Sequence, residues 1–326
     1  MIAIEISSFG PPDVLRPVER PKPVLNENEA LVHIEAAGVA RADILQRQGK
    51  YPPPPGASDI PGLDVAGTIE EIGDGVHNWN IGDRVCAILA GGGYAEFCAV
   101  PAAQVLPIPD GWSAPEATTL PENIFTVYDN LVIRAGLKRG ETVLIHGGTS
   151  GVGSMAIMLS RACSARPIVT AGSREKCDAA LRFGAEYAIN YKEQDFVAET
   201  LRITEGRGAN VVLDIVGGPY LERNVEVLAV EGRLSIVSTQ GGRTGQLEIG
   251  KLMGKRGRVL ASTLRARTPE EKGEIARRLR RDIWPILAAK NVIRPIIDST
   301  FPLRDARMAH ERMEGGKHMG KIVLLT

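Results

Sequence analysis

A glycine-rich turn between an apolar strand and a helix constrains this chain more than any other feature. Residues Val143 to Ile145 have the pattern of a short buried strand, and the turn reads His146-Gly-Gly-Thr-Ser-Gly-Val-Gly153. After the turn, apolar residues recur at helical spacing: Val152, Met155, Ala156 and Leu159. A second strand is predicted from Pro167 to Ala171, and together these elements predict a β-α-β unit.

The turn matches the form G-x-G-x-x-G at Gly148, Ser150 and Gly153, with serine at the middle position. Glycines at a strand-to-helix turn let a phosphate approach the backbone and place it at the positive end of the helix. In a chain with 36 glycines, a chance match in an ordinary tight turn is the alternative. The strand and helix on either side favour a dinucleotide-binding turn.

The residues after the second strand indicate which dinucleotide is bound. An NAD site usually has an acidic residue here, which bonds the ribose 2′-hydroxyl and repels a 2′-phosphate. This chain has Gly172-Ser173, with Arg174 and Lys176 close by. A hydroxyl and cations suit a phosphate, so NADPH is predicted. Glu175 lies in the same segment, and the start of a solvated helix is the alternative interpretation.

Composition excludes several classes of function. The 326 residues contain 39 basic and 39 acidic side chains, so we expect no nucleic-acid partner and no anionic membrane partner. No apolar run reaches membrane-spanning length, and the start of the chain resembles a strand rather than a signal peptide, which predicts a cytoplasmic protein. No metal site is expected, because the cysteines and histidines are scattered: Cys86, Cys98, Cys163, Cys177, His33, His77, His146, His310 and His318.

The distribution of strand and helix patterns predicts an α/β protein with two parts. The first 120 residues are β-rich, and their strand-like runs predict a partly open barrel: Ala30 to Ala36, Val65 to Ile72, Arg84 to Leu89 and Tyr94 to Val100. The middle alternates strand and helix, which predicts a doubly wound parallel sheet. A charged helix is predicted from Pro269 to Leu287, followed by strands that return to the first part.

Nearly the whole chain resembles the medium-chain dehydrogenase/reductases, and within them the zinc-free quinone oxidoreductases of the p53-inducible type. The motifs that carry the resemblance are Asp43 to Ser58 with its proline run, Ile60-Pro-Gly-Leu-Asp-Val-Ala-Gly67, Gly82-Asp-Arg-Val85, Phe125 to Leu131, His146 to Gly153, Asp298 to Leu303 and Gly320-Lys-Ile-Val323. The resemblance implies a GroES-like catalytic domain at 1–122 together with 263–326, a Rossmann NADPH-binding domain at 123–262, and a homodimer.

The resemblance also accounts for the expected absence of zinc. Zinc-dependent relatives have a cysteine ligand and a histidine ligand at positions where this chain has Ala40 and Leu63. Without a Lewis acid, alcohol oxidation is not expected. The expected substrate is instead a small, electron-poor acceptor, a quinone or an activated enone, that takes up a hydride. Tyr51 is the candidate catalytic donor to the acceptor oxygen, and the alternative is that its ring merely packs on the proline run.

Several further contacts to the cofactor are implied by the resemblance. The residues expected to approach it are Thr126, Tyr128, Gly148, Ser150, Gly151, Val152, Gly153, Gly172, Ser173, Lys176, Tyr191, Thr239 and His318. For Tyr128 and Tyr191, ordinary packing is an alternative role. Relatives commonly have asparagine beside the nicotinamide, at the position of Ala40.

Three functional hypotheses follow from the sequence. The first is an NADPH-dependent reductase of quinones or enones. The second, motivated by Ala40, is a dinucleotide-binding protein with little catalysis, such as a redox sensor or a crystallin-like protein. The third is a reductase of acyl-thioester enones, which the balanced charge does not favour.

Overall fold

The computed structural model describes residues 1–290 and 292–326, with side chains described outside 288–291. Asn291, within the predicted catalytic range, lies outside the described residues. The strands are β1 (Ile2–Ile6), β2 (Leu15–Glu19), β3 (Glu29–Val39), β4 (Asp64–Ile72), β5 (Arg84–Ile88), β6 (Phe97–Pro101), β7 (Val105–Pro107), β8 (Thr142–His146), β9 (Arg166–Ala171), β10 (Tyr187–Asn190), β11 (Ala209–Asp214), β12 (Leu228–Ile236), β13 (Arg258–Ala261), β14 (Ile297–Pro302) and β15 (Lys321–Leu325).

The α-helices are α1 (Arg41–Arg47), α2 (Ala114–Ala117), α3 (Pro121–Val127), α4 (Gly151–Ala162), α5 (Arg174–Phe183), α6 (Phe196–Ile203), α7 (Leu221–Glu226), α8 (Ile249–Gly254), α9 (Pro269–Asp282), α10 (Trp284–Lys290) and α11 (Ala306–Glu314). A π-helical segment, Tyr128–Arg134, follows α3 directly. Within the described residues, no helix has the length and apolar character needed to cross a bilayer.

The chain forms two compact units. Unit 1 comprises Met1–Phe125, Leu264–Ala289 and Pro295–Thr326, and unit 2 comprises Thr126–Thr263 and Lys290–Arg294. Unit 1 contains a mainly antiparallel sheet with the strand order β14-β15-β3-β4-β5-β7, and β6 also pairs with β3. Since β15 pairs with β3 in antiparallel register, from Ile322 opposite Val39 to Leu325 opposite Ala36, residues far apart in sequence complete this sheet together.

Unit 2 is built on a parallel sheet with the strand order β10-β9-β8-β11-β12-β13. Counted from β8, this is the order 3-2-1-4-5-6 of doubly wound dinucleotide-binding domains. The central strand β8 is buried along its whole length, as expected for a strand with helices on both faces. The predicted α/β class and doubly wound sheet are confirmed.

One predicted helix is divided in the structure. The sequence pattern predicts a continuous helix from Pro269 to Leu287, whereas α9 ends at Asp282 and α10 begins at Trp284. Pro285 explains the break, because in a continuous helix proline could not donate to the Arg281 carbonyl, four residues earlier, and its ring would clash with that carbonyl. The N-terminus of α9 agrees with its sequence: the Thr268 side chain accepts a hydrogen bond from the Glu271 N–H, which forms a capping box.

Candidate functional site

The glycine loop of unit 2 has almost no room for side chains. Gly147 has a φ of +71°, and a Cβ atom on it would lie 2.5 Å from Ile215 Cδ1. A Cβ on Gly148 would lie 2.7 Å from Val169, and a Cβ on Gly153 would lie 2.1 Å from the Gly147 carbonyl oxygen. Glycine is therefore favoured at Gly147 by its positive φ, at Gly148 by the Val169 side chain and at Gly153 by the backbone of Gly147.

Ser150 caps the helix that follows this loop. Its Oγ accepts a hydrogen bond of 3.0 Å from the Gly153 N–H and donates to the Gly147 carbonyl at 2.8 Å. The Ser150 N–H also donates to the Gly147 carbonyl, at 3.0 Å, and is thus already used inside the turn. The N–H groups of Gly151 and Val152 lie in the first turn of α4, where a helix provides no acceptor for its donors. They are therefore the N–H groups suited to an anion.

The predicted 2′-phosphate residues come together at the carboxyl ends of β9 and β10. A Cβ on Gly172 would lie 2.8 Å from the hydroxyl of Tyr191, so the tyrosine lies directly over this glycine. Ser173 is the N-cap of α5, and its Oγ accepts a bond of 3.2 Å from the Lys176 N–H. Tyr191 remains 44% exposed. The structure thus brings Gly172, Ser173, Lys176 and Tyr191 into one surface region.

Thr239 lies at the other half of the parallel sheet from the predicted 2′-phosphate residues. Backbone segments approach each other closely there too. A Cβ on Gly217 would lie 2.9 Å from Thr239 Cα, and the Gly218 N–H donates to the Gly242 carbonyl at 2.9 Å. Asp214 shapes this loop by accepting hydrogen bonds from the N–H groups of Val216 and Gly217, at 2.7 and 3.1 Å. Burial raises the pKa of Asp214 to about 6.

The loops after β8 and β11 meet at the point where the strand order reverses, since Ile215 faces Gly147. In doubly wound sheets, ligands bind in the crevice at this reversal. The role of Asp214 was not predicted, although an acid at the end of a strand, followed by two glycines, is a visible signal for such a loop.

Thr126 and Tyr128 belong to the segment that enters unit 2. Thr126 is in the last turn of α3, and its carbonyl accepts a bond of 2.9 Å from Asn130 Nδ2. Tyr128 is only 2% exposed, so its ring is part of the interior. Asn130 Oδ1 also accepts bonds from the hydroxyls of Ser235, at 2.9 Å, and Ser262, at 3.0 Å. Asn130 thereby fixes the π-helical segment, and sequence patterns do not predict its role.

Tyr51 and His318 belong to unit 1, where His318 is partly buried. A buried cation that sequence reasoning missed holds the loop of Tyr51. Arg265 donates to the Tyr51 carbonyl at 3.1 Å and to the Ala90 carbonyl at 2.8 Å. The Arg265 guanidinium lies 5.2 Å from the centre of the Tyr51 ring, a cation–π distance. The Tyr51 backbone and ring are therefore positioned by a single side chain.

A cluster of charged groups, Asp43, Asp64, Glu122 and Lys321, lies in the interior of unit 1. Asp64 forms an ion pair with Lys321, and both side chains are buried. Lys321 Nζ is also 3.7 Å from the Glu122 carboxylate, and the Glu122 N–H donates to Asp64 at 2.5 Å. Burial lowers the pKa of Lys321, but Asp64 and Glu122 outweigh this effect and raise it above its ordinary value.

Asp43 ends a chain of hydrogen bonds that crosses unit 1. Its carboxylate accepts bonds from the N–H groups of Ala40 and Gly62, at 2.8 and 3.0 Å. The Tyr94 hydroxyl donates to Asp43 at 3.2 Å and lies 3.0 Å from His310 Nε2. Because the Tyr94 hydroxyl uses its hydrogen in the bond to Asp43, the N–H of His310 Nε2 must donate to the Tyr94 oxygen. Nδ1 of His310 then has a free lone pair and can accept from Arg47 at 3.4 Å. Asp43 therefore fixes the backbone at Ala40 and Gly62.

The two positions that bind zinc in zinc-dependent relatives are apolar and buried here: Ala40 and Leu63 are 4% and 5% exposed. Across residues 1–290 and 292–326, no group of three or more His, Cys, Asp or Glu side chains is placed to hold a metal ion.

Comparison with known proteins agrees with this architecture. The alcohol dehydrogenase GroES-like domain family matches residues 26–110, and the zinc-binding dehydrogenase family matches residues 151–280. A rat quinone oxidoreductase is 32% identical over all of this chain and 98% of its own length. The Escherichia coli quinone oxidoreductase, solved with NADPH, is 30% identical with a TM-score of 0.85, and a mycobacterial protein, also solved with NADPH, is 31% identical with a TM-score of 0.88; each match covers both chains completely.

Fold, glycine loop and relatives together define the class, an oxidoreductase of the medium-chain dehydrogenase/reductase type. Within that class, the resemblance to the quinone oxidoreductases that the sequence motifs indicate is confirmed by full-length similarity at about the 30% level. The chain belongs to the quinone oxidoreductase family.

Proposed function

We propose that this protein is an NADPH-dependent reductase that transfers a hydride, without zinc, to quinones or related α,β-unsaturated carbonyls. The observation that carries the proposal is the glycine loop, which lies where the strand order of the parallel sheet reverses. Its three glycines leave no room for a Cβ atom. Solved relatives with NADPH support the cofactor, and curated quinone oxidoreductases support the acceptor.

The residues of unit 2 fit a dinucleotide phosphate. The backbone N–H groups of Gly151 and Val152 would hold the pyrophosphate. Ser173 and Lys176 would hold the 2′-phosphate near Tyr191. We propose that the nicotinamide side is approached by Thr126, Thr239 and His318. When bound, the nicotinamide supplies the hydride.

Tyr51 is the proposed donor to the acceptor oxygen. Arg265 fixes its backbone and ring, which supports a preorganised hydroxyl. Burial raises the pKa of Tyr51, so the hydroxyl stays protonated and able to donate at neutral pH. Ala40 supports independence from zinc, because its methyl group offers no metal ligand and its N–H is bound to Asp43.

We further propose a domain organisation and an oligomeric state for the protein. The catalytic domain would comprise 1–122 with 263–326 and the cofactor domain 123–262, in a cytoplasmic homodimer. Strand β13 is an edge of the parallel sheet, and exposed apolar side chains lie on it and on α8: Val259, Ile249 and Met253. An unpaired edge with apolar neighbours supports pairing with a second copy.

The proposed function is tested by binding followed by turnover. NADPH and NADH are titrated by fluorescence, and oxidation of NADPH is then measured with 1,4-benzoquinone, 9,10-phenanthrenequinone and a simple enone. We expect tighter binding of NADPH and turnover with at least one acceptor. Tight binding without turnover on any acceptor would instead favour the redox-sensor function that Ala40 suggests.

Lys176→Met is expected to weaken NADPH binding about 10- to 100-fold, because it removes one charge-assisted contact to the 2′-phosphate. NADH binding should be unchanged, since NADH has no phosphate there. The control is Arg182→Met, which removes a cation from the other end of α5. Equal weakening of both dinucleotides by Lys176→Met would contradict the assignment.

A further inference from the structure

Reduction of a quinone or enone by hydride leaves an anion that must take up one proton. The proposed function, on which this inference rests, gives Tyr51 as a hydrogen-bond donor but identifies no group that stores the proton. A suitable group is a side chain that carries an acidic proton near neutral pH and can exchange it with a substrate or with water.

The charged cluster of unit 1 contains three carboxyl groups and one ammonium. Asp43, Asp64 and Glu122 are close enough to interact electrostatically, and Lys321 is the cation that faces them. A second buried cation, Arg265, also interacts with Asp43. Full ionisation of the three carboxyl groups would still leave one negative charge without compensation in the interior, which burial opposes. The cluster is therefore expected to retain a proton.

The contacts decide which carboxyl holds that proton. Asp64 forms the direct ion pair with Lys321, and Asp43 accepts three hydrogen bonds, two from backbone N–H groups and one from Tyr94. Burial raises the pKa of Asp64, and that of Asp43 to about 6, but these contacts oppose the effect and favour the carboxylate form of both aspartates. The Glu122 carboxyl is farther from the ammonium, at 3.7 Å. Burial raises the pKa of Glu122 to about 7, a change that Lys321 opposes and the two aspartates reinforce.

Glu122 is also the member of the cluster that can exchange its proton. Its side chain is 23% exposed, whereas those of Asp43 and Asp64 are fully buried. Glu122 lies within electrostatic reach of Tyr51: burial is the main cause of the raised pKa of Tyr51, Arg265 lowers it, and the Glu122 charge raises it further. The proton store and the proposed hydrogen-bond donor therefore belong to the same region of unit 1.

We propose that Glu122 is the general acid that protonates the reduced acceptor. The acceptor gains a hydride with its electron pair, and the bound NADPH is oxidised to NADP⁺. The O–H bond of the Glu122 carboxyl breaks, its proton adds to the resulting anion, and the carboxylate takes up a new proton from water. Each turnover thus consumes one NADPH and one solvent proton, as the reduction requires.

The kinetic test uses Glu122→Gln, which keeps a polar group beside Lys321 but carries no acidic proton. We expect kcat to fall about 100-fold or more, while the Kd for NADPH stays unchanged. In the native protein kcat should fall as pH rises through about 7, because the acid loses its proton, and the variant should lack this dependence. Glu122→Asp, the control, should retain the pH dependence. A Gln variant with native kcat and the native pH profile would overturn the proposal.

A second measurement does not depend on turnover. Infrared difference spectra of the protein without cofactor, recorded across a pH titration, should show a buried carboxyl that ionises near pH 7 and is absent from Glu122→Gln. The lack of such a band in the native protein would overturn the inference. If the band is present but no quinone or enone is reduced, the proposed function fails, and the catalytic role of Glu122 fails with it.

Discussion

Lys321→Met is expected to lower the free energy of unfolding by about 3–5 kcal/mol, because removing one partner of a buried ion pair leaves the other charge without compensation. Lys321 is 3% exposed and Asp64 is fully buried. Without the ammonium, Asp64 would have to be protonated or remain as a buried anion without a partner. Methionine has a similar length and an apolar character, so the loss should come from charge rather than from packing.

The measurement is urea denaturation of Lys321→Met at neutral pH, followed by circular dichroism. Lys22→Met is the matched control: it also removes a lysine from an ion pair, with Glu70, but there the lysine side chain is 46% exposed, and we expect a change of at most about 1 kcal/mol. Lys321→Met combined with Asp64→Asn should recover part of the loss. A native midpoint for Lys321→Met would show that the interior of unit 1 does not hold Asp64 as an anion paired with Lys321.

Gly153→Ala is expected to weaken NADPH binding by about 100-fold or more and to lower the stability by about 1–3 kcal/mol, the usual effect of overpacking. The added Cβ would lie 2.1 Å from the Gly147 carbonyl oxygen, and backbone cannot move aside as the end of a flexible side chain can. The loop must therefore shift away from the helix, and the N–H groups at the start of α4 lose their alignment.

The matched control is Gly254→Ala, at the end of α8 in the same unit, where an added Cβ meets nothing within 4 Å. We expect this variant to bind NADPH normally. Fluorescence titration gives the affinity and thermal unfolding gives the stability. Native affinity in Gly153→Ala would mean that the nucleotide does not bind at this loop.

The local features of this protein were predictable from its sequence. Strand β8, its glycine turn and α4 are encoded by adjacent residues, and their patterns predict both the elements and their order. The break between α9 and α10 was missed because helical periodicity outweighed the single signal of Pro285. The π-helical segment was missed because an inserted residue leaves the apolar pattern almost unchanged.

The charged cluster could not be predicted, because its members are distant in the chain. Asp64 and Lys321 are separated by 257 positions, and no periodicity connects them. In the sequence, Lys321 is one basic residue of 39, and Glu122 one acid beside a proline. Pairing of β15 with β3 is needed to bring them together. Arg265 was missed for the same reason, since its partners are Tyr51 and Ala90.

The pairing of β15 with β3 affects how the protein is made on the ribosome. Strand β3 is synthesised long before β15, and all the strands of unit 2 emerge in between. During that interval the acids of unit 1 lack Lys321, and the part of β3 from Ala36 to Val39 lacks its partner on the side that β15 will occupy. Unit 2, whose strands are nearly continuous in sequence, can fold first. Nascent chains of this protein should therefore depend on chaperones that shield an open sheet edge until the last strand arrives.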